Sequence, residues 1–172
     1  MLSVIVLAPS GADPVAGRAQ EAIVRSLAAL VGAAVADTVR DACIVGPPDL
    51  DLARVADHAG CALVEEADAA RGLGKAVRNA RSDRIFVLAA GYAPLSGFID
   101  EMSDWALSAS PLAAALRAEP ASLAQRLFPT LAPCVGLVAG RGDIAGAAAE
   151  APATLARKLR ARTLLTRARR VV

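Results

Sequence analysis

A run of cations and small residues between positions 71 and 79 has the composition of an anion-binding site. Arg71-Gly-Leu-Gly-Lys75 opens a predicted helix that continues through Arg78 and Asn79. Main-chain N–H groups at the start of a helix attract phosphate, and nearby cations strengthen that attraction. Ala76 stands where a magnesium-binding phosphate loop has Ser or Thr, so the run does not match that loop. We expect either an anion site here or solvated helix residues.

The acidic residues and the single histidine form no complete catalytic set. Asp49 and Asp51 follow a Gly-Pro-Pro turn, Glu65 and Glu66 follow an apolar run, and His58 lies in a polar helix turn. The sequence has no Gly-x-Ser-x-Gly motif for a serine nucleophile and no Gly-x-Gly-x-x-Gly after its first apolar run. The pattern therefore argues against a Ser-His-Asp hydrolase and against a dinucleotide fingerprint.

Charge is divided unevenly along the 172 residues. Seven Lys or Arg and no acid occur from Arg157 onward, whereas the preceding part carries 12 basic and 17 acidic residues. An acidic body argues against nucleic acid as a partner. We expect the basic tail to be either the solvated face of a terminal helix or a peripheral contact with an anionic membrane.

The cysteines and the chain start indicate a reducing compartment. Cys43, Cys61 and Cys134 are odd in number and widely spaced, which predicts buried thiols instead of a disulfide framework or a zinc site. No apolar run approaches the ~20 residues that cross a bilayer, and the first residues lack the basic segment of a signal peptide. We therefore expect a soluble, cytoplasmic protein.

Short apolar runs alternate with amphipathic stretches, first regularly and then less so. The first part predicts strands at 2–8, 42–45, 61–64 and 84–89, and helices at 16–31, 50–59 and 69–80. The second part predicts strands at 112–116 and 134–139, and helices at 96–107, 121–128, 143–149 and 154–170, with 163–166 as an alternative edge strand. The regular alternation indicates βαβ units. We expect a single α/β domain with a mostly parallel, Rossmann-like sheet flanked by helices on both faces.

The order of these pieces resembles the family-2 glycosyltransferases, whose nucleotide-sugar-binding fold is of the GT-A type. The motifs that carry the resemblance are Ser3–Pro9, Gly46-Pro-Pro-Asp-Leu-Asp51, Arg71–Ala80 and Ile85–Gly91. It covers residues 1–107 well and the remainder poorly. The resemblance implies a nucleotide-sugar as ligand, a nucleotide-sugar-binding half at 1–107 and a reduced acceptor half at 108–172.

The resemblance also implies a nucleotide and diphosphate site. Its members in this sequence are Pro9, Ser10, Asp49, Asp51, Arg71, Gly72, Lys75, Arg78, Asn79, Ala89 and Gly91. Glu150 takes the place of the family's catalytic base. The family binds Mn or Mg through Asp-x-Asp, and Ala89 and Gly91 occupy those two positions here. Because neither side chain can coordinate a cation, we expect no metal ligands and no certain cofactor.

Three functions follow from these observations. The first is a transferase that uses a nucleotide-sugar without a metal, with Arg71, Lys75 and Arg78 neutralising the diphosphate. The second is a catalytically inactive relative that binds or regulates. The third is a nucleotidyltransferase of related fold, which we rank last because the loop after the first strand supplies little of the expected Gly-rich, basic sequence. The sugar, the acceptor and the oligomeric state are not indicated.

Overall fold

The computed structural model describes residues 1–9, 16–107, 112–147, 149 and 151–172, so Ser10 and Glu150 lie outside the described residues. Eight strands form one sheet in this part of the chain. They are β1 (Leu2–Leu7), β2 (Val39–Gly46), β3 (Ala62–Glu65), β4 (Arg84–Ala89), β5 (Tyr92–Pro94), β6 (Ala114–Ala118), β7 (Cys134–Gly140) and β8 (Arg162–Arg170).

Seven α-helices connect these strands within the described ranges, together with short 3-10 turns at Ala16–Arg18, Pro48–Leu50 and Pro129–Leu131. The helices are α1 (Ala19–Val35), α2 (Ala53–Ala59), α3 (Ala69–Asn79), α4 (Phe98–Leu107), α5 (Leu123–Leu127), α6 (Arg141–Ala147) and α7 (Pro152–Lys158). None of these described helices is long and apolar enough to cross a membrane.

The sheet has the strand order β3-β2-β1-β4-β7-β6-β8-β5. β1 pairs in parallel with β2 and β4, β2 with β3, and β6 with β8. The antiparallel pairs are β4 with β7, β6 with β7, and β5 with β8. Only β7 and β5 therefore run against the direction of the other described strands. This arrangement confirms the expected mostly parallel, Rossmann-like α/β fold.

Apolar side chains cover the two faces of the sheet with two separate cores. On one face Ile23 of α1, Ala56 of α2 and Trp105 of α4 pack with Leu88. On the other face, helices α3, α6 and α7 contribute the buried residues Leu73, Val77, Ile144 and Leu155. Helices on both faces explain why every residue of β1 is buried, as is usual for parallel strands.

The final segment corrects the sequence prediction. A helix was expected over 154–170, but α7 ends at Lys158 and β8 follows. Arg160 adopts φ = 49°, a left-handed conformation that does not continue a right-handed helix. Beyond it, Leu164 and Ala168 are buried between more exposed neighbours, which is the pattern of a strand. β8 is not an edge strand either, because it lies between β6 and β5.

The actual edge strand on this side, β5, was missed in the sequence. It has three residues and ends in Pro94, a residue that suits an edge because it has no N–H to donate.

The cysteine prediction is partly confirmed. All three thiols are free, with Cys43 buried and the other two partly exposed. Burial raises the pKa of the Cys43 thiol to about 11 and also raises the pKa of Cys61 and of Cys134.

Candidate functional site

The carboxyl ends of β1 to β4 meet at one edge of the sheet, where doubly wound folds bind ligands. Register places Leu7 beside Val45 of β2 and beside Ala89 of β4. Main-chain bonds continue past the strand ends, from Ala8 N to Val45 O at 2.8 Å and from Ala90 N to Leu7 O at 2.9 Å. Pro9 follows directly and is half-buried. These strand ends are rigid and carry few polar side chains.

Ala89 and Gly91 lie at the end of β4, at this edge. Ala89 is half-buried, and Gly91 is buried with φ = 87°. The Gly91 N–H donates to Ser26 Oγ at 2.9 Å and to Ala22 O at 3.2 Å, both on α1. The Gly91 carbonyl accepts from Val171 N at 2.9 Å. Gly91 therefore joins α1 to the end of β8 and supplies no group to a cation.

A divalent cation of the kind implied by the glycosyltransferase resemblance does not fit these residues. Ala89 and Gly91 present no side-chain oxygen to a hard cation. Within the described ranges, no three or more His, Cys, Asp or Glu residues are grouped so that they could hold a metal ion.

The start of α3 is built on two close contacts. Asp68 caps the helix by accepting from Arg71 N at 2.9 Å. A Cβ added at Gly72 would lie 2.7 Å from Val45 Cγ1 and 3.2 Å from Glu66 Cβ. Gly72 therefore lets the helix approach β2 and the residue that follows β3. This steric role accounts for the glycine without a bound phosphate.

The two cations near this helix start are not equivalent. Lys75 Nζ donates to Glu66 Oε2 at 2.8 Å, and this hydrogen bond lowers the pKa of the Glu66 carboxyl, with a smaller contribution from the charge of Arg71. Arg71 is exposed. A ligand anion would therefore compete with Glu66 for Lys75, whereas Arg71 is accessible at the helix start.

Asn79 is separated from the other predicted site residues. α3 rises about 1.5 Å per residue, which places Asn79 on the order of 12 Å along the axis from Arg71. Asn79 lines a small recess with Ser3 and Asp41, near the amino end of β1. Asn79 therefore lies at the edge of the sheet opposite Ala89. The Arg78 guanidinium instead reaches back along α3, where its Nη1 lies 3.6 Å from a Cβ built at Gly74, so the predicted single set comes together only in part.

The acidic turn after β2 faces a different cavity. Asp49 and Asp51 are exposed, and Asp51 has φ = 46°. Gln20 of α1 donates its amide to Leu50 O at 2.9 Å, which fixes this turn against the helix. Asp51 borders an apolar cavity of about 680 Å³ between α1 and α2, together with His58. The turn is thus available to a ligand, although on the α1 side of the sheet.

An arginine-lined groove at the same edge was not predicted as a site. It lies between α1 and the end of β8, measures about 820 Å³ and is lined by Arg18, Arg25, Arg169 and Arg170. Arg25 also pairs with Glu21 at 2.7 Å. The basic tail was noted in the sequence, but only the pairing of β8 with β5 brings its arginines to α1. Contacts between residues so far apart in the sequence leave no local sequence pattern.

Comparison with known proteins shows the fold. No family model and no curated protein matches the sequence. A crystal structure of 4-diphosphocytidyl-2C-methyl-D-erythritol synthase is similar over 95% of this chain and 87% of that chain, with 14% identity and a TM-score of 0.63. The bifunctional IspDF from Campylobacter jejuni is similar over 95% of this chain and 49% of that chain, with 12% identity and a TM-score of 0.55.

These likenesses show the fold and do not extend to the family suggested by the sequence. Neither of the two similar structures is named as a glycosyltransferase. The GT-A-like architecture inferred from the motif order is compatible with that fold, whereas the narrower assignment is not supported. This chain therefore has the α/β fold of the diphosphocytidyl-methylerythritol synthases.

Proposed function

We propose that this protein binds a cytidine nucleotide at the carboxyl edge of β1 to β4 and transfers its nucleotidyl group to a phosphorylated acceptor. One observation carries the proposal, namely the structural similarity to a diphosphocytidyl-forming synthase across 95% of the chain. Fold alone does not specify chemistry. The proposal therefore also draws on the cations that line the edge where such folds bind ligands.

The transfer would proceed without a side-chain metal site at β4. An acceptor phosphate oxygen attacks the α-phosphorus, the new P–O bond forms, and the bond to the leaving pyrophosphate breaks. Negative charge grows on the pyrophosphate, and fixed guanidinium groups stabilise such charge. Arg18 and Arg169, which line the groove beside α1, are candidates for that role. Arg71 at the start of α3 is a third.

A titration with nucleotides tests the proposal. We expect CTP to bind with a saturable isotherm and more tightly than ATP or GTP, and Mn²⁺ to produce no enhancement because Ala89 and Gly91 carry no oxygen ligands. Arg18→Gln should weaken CTP binding about tenfold, since a charge-assisted hydrogen bond contributes ~1.5–3 kcal/mol. Arg78→Gln, on α3 at the opposite face of the sheet from α1, is the matched control and should leave the affinity unchanged.

Turnover is measured separately by pyrophosphate release with phosphorylated polyols as acceptors. The absence of saturable binding by any nucleoside triphosphate would reject the proposal. Tighter binding of UDP- or GDP-sugars than of CTP would instead favour the glycosyltransferase hypothesis.

A catalytically inactive relative is the second candidate function. The observation that favours it is Gly91, which stands at a metal-ligand position of the family suggested by the sequence and is buried between α1 and β8. This candidate predicts nucleotide binding without pyrophosphate release or sugar transfer.

Contact of the basic tail with an anionic membrane also remains a proposal, and salt-sensitive sedimentation with anionic vesicles tests it.

A further inference from the structure

Two arginines lie side by side in the carboxyl-terminal part of the sheet. Arg117 of β6 is the register partner of Arg167 of β8, and neighbouring strands are about 4.8 Å apart. Arg117 Nε also approaches Thr163 Oγ1 at 3.4 Å, which indicates that the side chain lies over β8. Like charges at directly paired positions repel each other, so a negative group between the two side chains would stabilise this pair.

The main chain fixes Arg117 but provides no negative charge. Its Nη1 donates to Thr130 O at 2.9 Å and to Ala132 O at 2.7 Å. Ion pairs in the described part of the chain involve Arg18, Arg25, Lys75 and Arg141, and none includes Arg117 or Arg167. The guanidinium of Arg117 is thus held in place with its charge uncompensated.

Arg167 has the more unusual environment. Its Nη1 is buried, and no acceptor for it is found among the described residues. A guanidinium stays charged at all physiological pH values, and a buried donor without an acceptor is unfavourable. Most buried polar groups in proteins are satisfied. A buried, charged donor beside a second arginine therefore indicates a missing anionic acceptor.

The geometry points to a phosphate-binding site formed by Arg117 and Arg167. Guanidinium groups match phosphate oxygens with two parallel hydrogen bonds. A phosphate dianion balances both charges, whereas a carboxylate would balance only one. The site lies near the carboxyl ends of β6 and β8, on the sheet face opposite the buried side chain of Leu116. This inference does not depend on the proposed cytidylyl transfer.

The test follows arginine Nε–Hε resonances of the full chain by NMR during titration with inorganic phosphate at constant ionic strength. The two resonances that disappear in Arg117→Gln and Arg167→Gln identify the site. We expect both to shift in a saturable manner, and each substitution to weaken phosphate binding at the remaining arginine at least tenfold. Arg162→Gln, which removes an exposed arginine from the same strand, is the control and should change the affinity less than twofold.

Several results would overturn the site. One is the absence of saturable shifts at Arg117 and Arg167, and another is an equal loss of affinity in Arg162→Gln. Acetate binding as tightly as phosphate would exclude phosphate selectivity. If Arg167→Gln does not fold, Arg167→Lys keeps the charge but loses the planar fork, and an unchanged phosphate affinity in that variant would contradict the proposal. Shifts confined to Arg18 and Arg25 would support the nucleotide groove and reject this second site.

Discussion

The half of the sheet formed by β1 to β4 and the half formed by β5 to β8 differ in how their strands are covered. All six residues of β1 are buried, whereas only Leu164 and Ala168 are buried among the nine residues of β8. The first half is an apolar layer covered on both faces, and its strand ends carry few polar groups. The second half carries Arg117 and the arginines of β8. Because β6 and β7 are almost as buried as β1, the difference lies in β8, whose arginines make that end of the sheet the region best suited to anion binding.

The largest expected effect comes from the strand that joins the two halves. Phe86 of β4 is fully buried, and its ring centroid lies 4.8 Å from that of Phe98. We expect Phe86→Ala to lower the free energy of unfolding by about 3–5 kcal/mol, because it removes a large core side chain and leaves a cavity. Urea unfolding followed by Trp105 fluorescence and by circular dichroism measures this change.

The same experiment tests whether the halves unfold together. Coincident transitions from the two probes are expected for one cooperative unit, and separated transitions would show that the halves are independent. Leu165→Ala is the control, since this side chain is 92% exposed and surface substitutions usually change stability by less than about 0.5 kcal/mol.

An intermediate effect is expected from two glycines of α3 that differ only in their surroundings. An alanine methyl at Gly72 would meet Val45 at 2.7 Å, whereas at Gly74 the nearest atom is Arg78 Nη1 at 3.6 Å. We expect Gly72→Ala to destabilise the fold by about 1–3 kcal/mol through overpacking. Gly74→Ala should stabilise it by about 0.5–1 kcal/mol, because alanine is the better helix former. Equal effects of the two changes, measured by urea unfolding, would disprove the close packing of α3.

The smallest effect concerns the polar contact at the start of α3. The hydrogen bond from Lys75 lowers the pKa of Glu66 in the folded protein. Such a group contributes stability above its unfolded pKa, near 4.5, and that contribution is lost as pH falls through the lower folded pKa. Glu66→Gln should therefore reduce stability at pH 7 but not at pH 3. Glu65→Gln, at the exposed neighbouring position, should show no such pH dependence, and a similar dependence in both would contradict the assignment.

The sequence predicted the first half far better than the second, for a physical reason. Runs such as Leu2–Leu7 and Arg84–Ala89 are apolar on both faces, and their type is recognisable without knowledge of their partners. β8 contains four arginines among nine residues, and its basic composition resembled a solvated helix. Its conformation is determined by β6, β5 and by Glu101, whose carboxylate accepts from Leu165 N at 2.8 Å and from Thr166 N at 2.9 Å.

The candidate site was predictable only in part. The motif order placed Ala89 and Gly91 at the end of an apolar strand, and they lie at the carboxyl end of β4. Arg78 and Asn79 were grouped with that edge because they follow the Gly-rich helix start in sequence, whereas α3 carries Asn79 toward the other edge of the sheet. The pairing of Arg117 with Arg167 joins residues 50 positions apart and leaves no local pattern.

The late position of β8 has a consequence for how the chain is made. Tyr92 of β5 pairs with Arg170, and Ala114 of β6 pairs with Arg162. During synthesis both strands emerge well before their shared neighbour, so each exposes unpaired main-chain groups that can recruit another molecule. A chain whose synthesis stops before residue 162 would leave β5 and β6 unpaired and prone to aggregate. Dependence on chaperones should therefore be greatest while residues 114–162 are being synthesised.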